Sequence, residues 1–409
     1  ANEPLIEYLN DGTINRIEGS MNGPLGKFTS YGKMKGCAVL RSHGGRVQAI
    51  QDGELKIDIC VIAAPSADPF GDASGAFGPS ACGVLGYSLV DMLYADHVIV
   101  VTDNLVPFPC IPMQIQGNYV DYVVVVDKIG IPEKIISGTT QVTKSPDRLL
   151  LAELTVQFCV EAGILHDGVG VQTGAGGTSL SVGLHFHEQL KANGWKAHFA
   201  LGGTTQYLVN MLEDGTLNYL LDAQAFDLEA VRSIKENRNH LDSSVLNVYN
   251  YHSKGNYTGM EDIIILGATE LDTQLNGNVV THSDGLLLHG IGGWQNCLFS
   301  KNTILPIPLF RDRIPVIVNQ LTTLCGPGEL IDIIITERGI VINPKRTDLI
   351  DKMRGSSLPI VTINELKEEA DAICGVPDQA PISDKDEDTV AIIKWVDGTV
   401  IDSVRKVME

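Results

Sequence analysis

The 409-residue sequence has no long apolar run, no closely spaced cysteine pair and no surplus of positive charge. Its longest hydrophobic stretches, "YVVVV" from Tyr122 and "IIIL" from Ile263, fall far short of the roughly 20 residues a membrane helix needs. No charged segment followed by an apolar one opens the chain, so no secretory signal is expected and the location expected is cytoplasmic. The eight cysteines are scattered and form no CxxC pair. That spacing argues against a disulfide framework or a zinc site and suits a reducing compartment. A net charge of −20 repels polyanions, which argues against nucleic acid or an acidic membrane as partner. The histidines of "HFH", His185 and His187, stand two apart and would not share a helix face, so no metal site is expected there.

What is present is an ordinary globular composition, 44% hydrophobic with 42 glycines for tight turns. It also contains a repeat. "IDICVIAAPSADPFGDAS" from Ile57 aligns with "EDIIILGATELDTQLNGNVV" from Glu261, setting Asp58 against Asp262 and Asp68 against Asp272. Further on, "VDYVVVVDKIG" from Val120 aligns with "IDIIITERGI" from Ile331. Each copy reads as strand, turn, connection, strand. The expected architecture is two related open α/β halves, residues 1–146 and 147–409, the second ending in a hairpin around Asp397-Gly398.

The repeat isolates one residue. Asp68 and Asp272 replace each other, as turn-forming residues should, but Glu270 stands where the first copy has Ser66. Glu270 is expected at the carboxyl end of an interior strand, where open α/β sheets place ligands. The bland alternative is a solvated loop acid.

Three glycine-rich segments accompany it. "QTGAGGTSL" reads as a strand over 170–173, a loop of Gly174, Ala175, Gly176 and Gly177, and a helix from Thr178. Backbone N–H groups at such a helix start favour an anion or oxyanion; a plain tight turn is the alternative. The spacing fits neither a P-loop nor a dinucleotide fingerprint. "HGIGGW" adds Gly290, Gly292 and Gly293. "RSHGGR" places Arg46 beside flexible backbone as a carboxylate clamp or an exposed charge. "FGPSACG" reads as a turn entering a helix.

One carboxylate, several glycine loops, no metal set and no cofactor fingerprint suggest acyl chemistry. Glu270 either attacks a thioester to give a mixed anhydride or positions substrate without a covalent bond. No GxSxG elbow favours ordinary hydrolysis.

The runs "LRSHGGRVQAI", "FGPSACGVLGY", "TDNLVPFP", "SGTTQVTKSP", "QTGAGGTSLSV", "FDLEAVRSI", "GATELDTQLNGNV" and "ITERGIVINP", in unbroken order, resemble the citrate lyase alpha-subunit family. The resemblance implies a CoA-transferase fold of two related halves. It also implies exchange of acetate for citrate on the thioester of an acyl-carrier gamma subunit, and a beta subunit that cleaves citryl-thioester to oxaloacetate and acetyl-thioester. The carrier's prosthetic group or CoA would be a substrate, with no tightly bound cofactor, and the chain would work in an oligomer. Glu270 matches the glutamate of the wider superfamily's "ExD…GN" strand end, and "QTGAGG" the loop that faces the thioester. The branch implied works through a ternary complex, which leaves the role of Glu270 open. Two departures stand out: the first half is expected to be without the family's opening strands and helices, and Trp294, Gln295, Asn296 and Cys297 replace a His-Cys/Ser-Asp-Thr run after "HGIGG". Transfer to another acid such as citramalate, or a non-catalytic scaffold, are the alternatives.

Overall fold

A computed structural model describes residues 4–135, 142–174, 176–253 and 255–408. The chain forms two compact units, Val47–Ile265 and Ala1–Arg46 with Leu266–Glu409. The boundary expected near residue 146 falls inside the first of these. Compactness and duplication divide the chain differently, because the repeated segments lie partly in one unit and partly in the other.

In the Val47–Ile265 unit, strands Ile59–Ala63, His97–Thr102 and Tyr122–Val125 run parallel in that order. One face of this sheet is packed: Cys60, Ile62, Val98 and Val100 are buried with Met92 of helix Ser88–Tyr94. The other face is open. Ile59 is 59% exposed, Val61 63% and Tyr122 57%.

The same unit holds strands His240–Asp242, Leu217–Ala225, Ala197–Thr204, Gly170–Thr173 and Ile263–Ile265, in that spatial order and all parallel. Helices occupy the crossovers, as parallel pairing requires. Their starts are local: Pro146 opens Pro146–Glu161, and Asp227 caps Leu228–Glu236 by accepting from Ala230 N–H at 2.9 Å. "FGPSACG" does not enter a helix. Gly78 and Gly83 sit at φ +110° and +93°, and the next helix waits until Ser88. At Gly83 a Cβ would come within 2.7 Å of the Ala225 methyl, so the segment is a packed turn.

In the other unit, Thr303–Pro306 and Ile333–Thr336 pair in parallel and Gly339–Ile342 closes antiparallel. A small sheet joins Glu270–Asp272 to Gly277–Asn278 and Ile317–Val318. The tail forms the expected hairpin, Thr389–Lys394 with Val400–Arg405, turning at Gly398 (φ +86°). Its first strand also pairs in parallel with Ala38–Leu40. Leu271, Val280, Leu305, Ile317, Ile331 and Ile334 share one core here.

The duplication is visible in hydrogen bonds. Asp121 accepts from Val98 N–H at 2.8 Å, and Asp332 accepts from Thr303 N–H at 2.8 Å. Asp68 accepts from the N–H groups of Phe70 and Asp72; Asp272 does so from Gln274 and Asn276. Asp72 then accepts from Gly117 N–H and Asn276 from Gly328 N–H, both at 2.8 Å. Ser66 pairs with Ser74 where Glu270 pairs with Asn278. The aligned acids are turn-builders, and Glu270 is the substituted position.

No described helix is long and apolar enough to cross a membrane. Among the described residues no cluster of His, Cys, Asp and Glu could hold a metal ion. His185 instead meets Glu188 and His187 meets Asp214.

Candidate active site

The strand that precedes Glu270 ends at Ile265, and the chain crosses four residues before the glutamate opens a strand of its own. Arg311 holds that crossing by donating to the carbonyls of Ala268 and Thr269 at 2.6 and 2.9 Å. Leu271 N–H donates to Val316 O at 2.8 Å. Glu270 is therefore no solvated loop acid: only 3% of it is exposed.

A buried carboxylate needs donors. Glu270 Oε2 accepts from Asn278 Nδ2 and from Thr322 N–H, each at 2.9 Å. Oε1 accepts from the Thr322 hydroxyl at 2.9 Å. The Asn278 amide is fixed in turn: its Oδ1 accepts from Val280 and Thr281 N–H, and its Nδ2 also meets Thr281 Oγ1. Thr281 Oγ1 donates to Thr323 Oγ1 at 3.0 Å. Burial pushes the neighbouring Cys325 thiol up to about 12, so it stays a neutral packing group.

The Gly290–Gly293 loop belongs to the same unit and is tied to this network. Trp294, which follows it, donates Nε1–H to Gly267 O at 2.8 Å. Its ring lies where a Cβ on Gly277 would come within 2.8 Å, which is why the turn before Asn278 needs glycine. Gln295 Nε2 donates to Cys325 O at 2.9 Å. The loop is less open to a ligand than expected. Gly290 N–H is taken by Ser20 Oγ at 2.8 Å, Gly292 stands at φ +63°, and Gly293 leads into the short helix Trp294–Cys297.

"RSHGGR" is not a flexible loop either; helix His43–Gln51 begins within it, and Arg46 lies in its opening turns, half-buried. The first N–H groups find acceptors outside the helix. His43 N–H donates to Gly292 O at 2.8 Å, Gly44 N–H to Asn296 Oδ1 at 3.1 Å, and Gly45 N–H to the preceding Ser42 Oγ at 3.0 Å. This joins "RSHGGR" to "HGIGGW" and leaves Arg46 one turn from His43. Burial, then the Arg46 charge, depresses the His43 imidazole to about 4, so it is neutral at physiological pH. Beside it Arg41 forms an ion pair with Glu18.

The remaining segment lies in the Val47–Ile265 unit. Its strand is Gly170–Thr173, and its helix runs Gly177–Asn193 from an extended Gly176 with no side-chain cap. Gly174 is tight, with Ser179 Oγ 3.2 Å from where a Cβ would be, whereas Gly176 borders open space. Ala175 lies outside the described residues.

Sequence reasoning missed Asn278 and Thr322. The "GN" turn pointed to Asn278; nothing in "NQLTTLC" marks Thr322, whose meeting with Glu270 spans half a hundred positions.

A family model described as citrate lyase, alpha subunit, matches residues 1–407. The sequence is 39% identical to the citrate lyase alpha chain of Klebsiella pneumoniae over 409 residues, spanning 100% of this chain and 80% of that one. Its counterpart in Escherichia coli K12 is 38% identical over 408 residues, 99% and 79% of the two chains. A solved structure from Streptococcus mutans, described as an alpha subunit of citrate lyase in complex with citrate, superposes with a TM-score of 0.96 at 41% identity, covering 100% of this chain and 81% of that one. A 4-hydroxybutyrate CoA-transferase from Porphyromonas gingivalis superposes at 0.52 with 17% identity, over 82% and 80%. That distant likeness shows a shared α/β fold of CoA-transferase type.

Proposed function

We propose, from the premise that this chain belongs to the citrate lyase alpha-subunit family, that it exchanges acetate for citrate on a carrier-bound thioester. A citrate carboxylate and an acetyl-thioester give citryl-thioester and acetate. The carrier sulfur leaves the acetyl carbonyl and ends on a citryl carbonyl, and acetate departs with one oxygen that was citrate's. The thioester belongs to the prosthetic group of an acyl-carrier subunit, with CoA as its free analogue, and no tightly bound cofactor is needed. A lyase subunit then consumes the citryl-thioester.

One observation supports this reading beyond the family match: Glu270, which stands where the first copy of the internal repeat has Ser66, is a buried carboxylate held by three neutral donors. In such a site the anion is organised by dipoles aimed before substrate arrives. Gly174, Gly176 and Gly177 are assigned to the thioester carbonyl, with Ala175 between them. Gly292 and Gly293 shape the second loop, and Arg46 takes a citrate carboxylate.

The test is exchange of labelled acetate from acetyl-carrier, or acetyl-CoA, into solution when citrate is added. Glu270→Gln keeps the shape and removes the charge, and is expected to slow exchange at least about 10²-fold. Trapping with borohydride in the absence of citrate separates the two roles of Glu270: an alcohol at position 270 marks an acyl-glutamate, and an unmodified residue marks the ternary complex. Near-normal exchange by Glu270→Gln would return this residue to a structural part, and no exchange by the unaltered chain with its partner subunits would favour a scaffold.

A further inference from the structure

The two oxygens of Glu270 are not equivalent. Oε2 accepts two hydrogen bonds, from Asn278 Nδ2 and Thr322 N–H, which fills the usual capacity of a carboxylate oxygen. Oε1 accepts one, from the Thr322 hydroxyl. Asn278, which reaches Oε2 alone, is wholly buried, whereas Thr322, which reaches both oxygens, is only half-buried. Among the described residues Oε2 is therefore saturated, and Oε1 is the oxygen with a lone pair left for a substrate.

We infer that Oε1 is the oxygen Glu270 presents to substrate, and that Thr322 is a positioning residue that fixes its direction through paired side-chain and main-chain hydrogen bonds. Thr322 contributes a hydroxyl to Oε1 and an N–H to Oε2, so one residue clamps both oxygens and sets the carboxylate plane. A β-branched residue suits the task because its χ1 is stiff and the hydroxyl is held in one direction. Rotation of the plane would turn the open lone pair of Oε1 away, and misplacement of about 1 Å is enough to cost roughly 10²-fold in rate. The inference rests on the transferase reading and concerns how its carboxylate is aimed.

The test compares Thr322→Val, which keeps the main-chain donor and the branched shape but lacks the hydroxyl, with Thr322→Ser, which keeps both donors. Steady-state acetyl–citrate exchange is measured in the assembled complex with each substrate varied in turn. Thr322→Val is expected to lose about 10- to 100-fold in kcat, with both KM values within about twofold. Thr322→Ser is expected to recover most of that loss, which a purely structural residue would not show. Equal kcat for Thr322→Val and the unaltered chain would overturn the inference, as would a Thr322→Ser variant no better than Thr322→Val. If Thr322→Val does not fold, Thr322→Cys replaces it, with a smaller kcat loss expected from its weak S–H donor and no loss overturning the idea. Glu270→Gln runs in parallel: an inactive Glu270→Gln with a normal Thr322→Val sinks only the clamp, whereas an active Glu270→Gln sinks the transferase role of the carboxylate and the clamp with it.

Discussion

Asn278 lies across a two-residue strand pairing from Glu270 and gives its carboxylate a 2.9 Å hydrogen bond. In the first copy of the repeat the same two places are held by Ser74 and Ser66. The second copy thus carries a glutamate together with an amide that donates to it.

Asn278→Ala should therefore damage more than a turn. It removes one of two donors to Oε2 and takes from Thr281 Oγ1 the donor it has beside its bond to Thr323 Oγ1. Denaturant unfolding is expected to show a loss of about 1–3 kcal/mol, the usual cost of stranding buried polar groups. Exchange activity should fall as well, and a variant with unaltered stability would show the network to be dispensable.

The matched glycines 117 and 328 give a paired test. A Cβ on Gly328 would sit 2.0 Å from Gln274 O, and one on Gly117 2.3 Å from Phe70 O. Both contacts are with backbone, which cannot swing aside. Each alanine substitution should cost about 3 kcal/mol or more. Only Gly328→Ala pushes on the turn that follows Glu270, so at temperatures where both proteins remain folded it alone should depress exchange.

Glu261 supplies a pH dependence. It is fully buried, neither oxygen has a partner among the described residues, and burial followed by the Asp262 charge raises it well above its ordinary 4.5. The fold therefore keeps a proton that the unfolded chain gives up. Above about pH 4.5 the unfolded state is favoured increasingly, by up to about 1.4 kcal/mol per pH unit until the folded group also ionises. Urea titrations from pH 5 to 8 should show that slope for the unaltered chain, and Glu261→Gln should remove it. Parallel curves for the two proteins would contradict the burial argument.

Arg46→Lys should raise the KM for citrate while leaving that for acetyl-thioester nearly unchanged, because a guanidinium can grip a carboxylate in two places and an ammonium cannot. Exchange kinetics with each substrate varied would decide it. Equal damage to both would make the residue a support for the start of helix His43–Gln51.

Much of this was legible in the residues, and what was not had a common cause. The repeat could be seen because Asp58, Asp68 and Asp121 reappear as Asp262, Asp272 and Asp332 with apolar strands between them. Glu270 stood out against Ser66 by the same comparison. "RSHGGR" was misread as a loop because two glycines obscure a helix start whose acceptors, Gly292 O and Asn296 Oδ1, come from the far end of the sequence. Gly290 looked like a free donor for the same reason, since Ser20 takes its N–H from a distant segment. "FGPSACG" looked like a turn entering a helix because propensity does not reveal which glycines stand at positive φ. Local chemistry was readable, and partners brought together only by folding were not.

The sheet of Ile59–Ala63, His97–Thr102 and Tyr122–Val125 has a practical consequence at the bench. Ile59 and Val61 are more than half exposed, while their repeat counterparts Ile263 and Ile265 are fully buried. A parallel sheet is ordinarily covered on both faces, and a bare aliphatic side is where environment-sensitive dyes lodge. A dye-based melt of these 409 residues would therefore begin bright and show little rise. Intrinsic tryptophan emission, with Trp294 seated in the other unit's core, is the better thermometer for this protein.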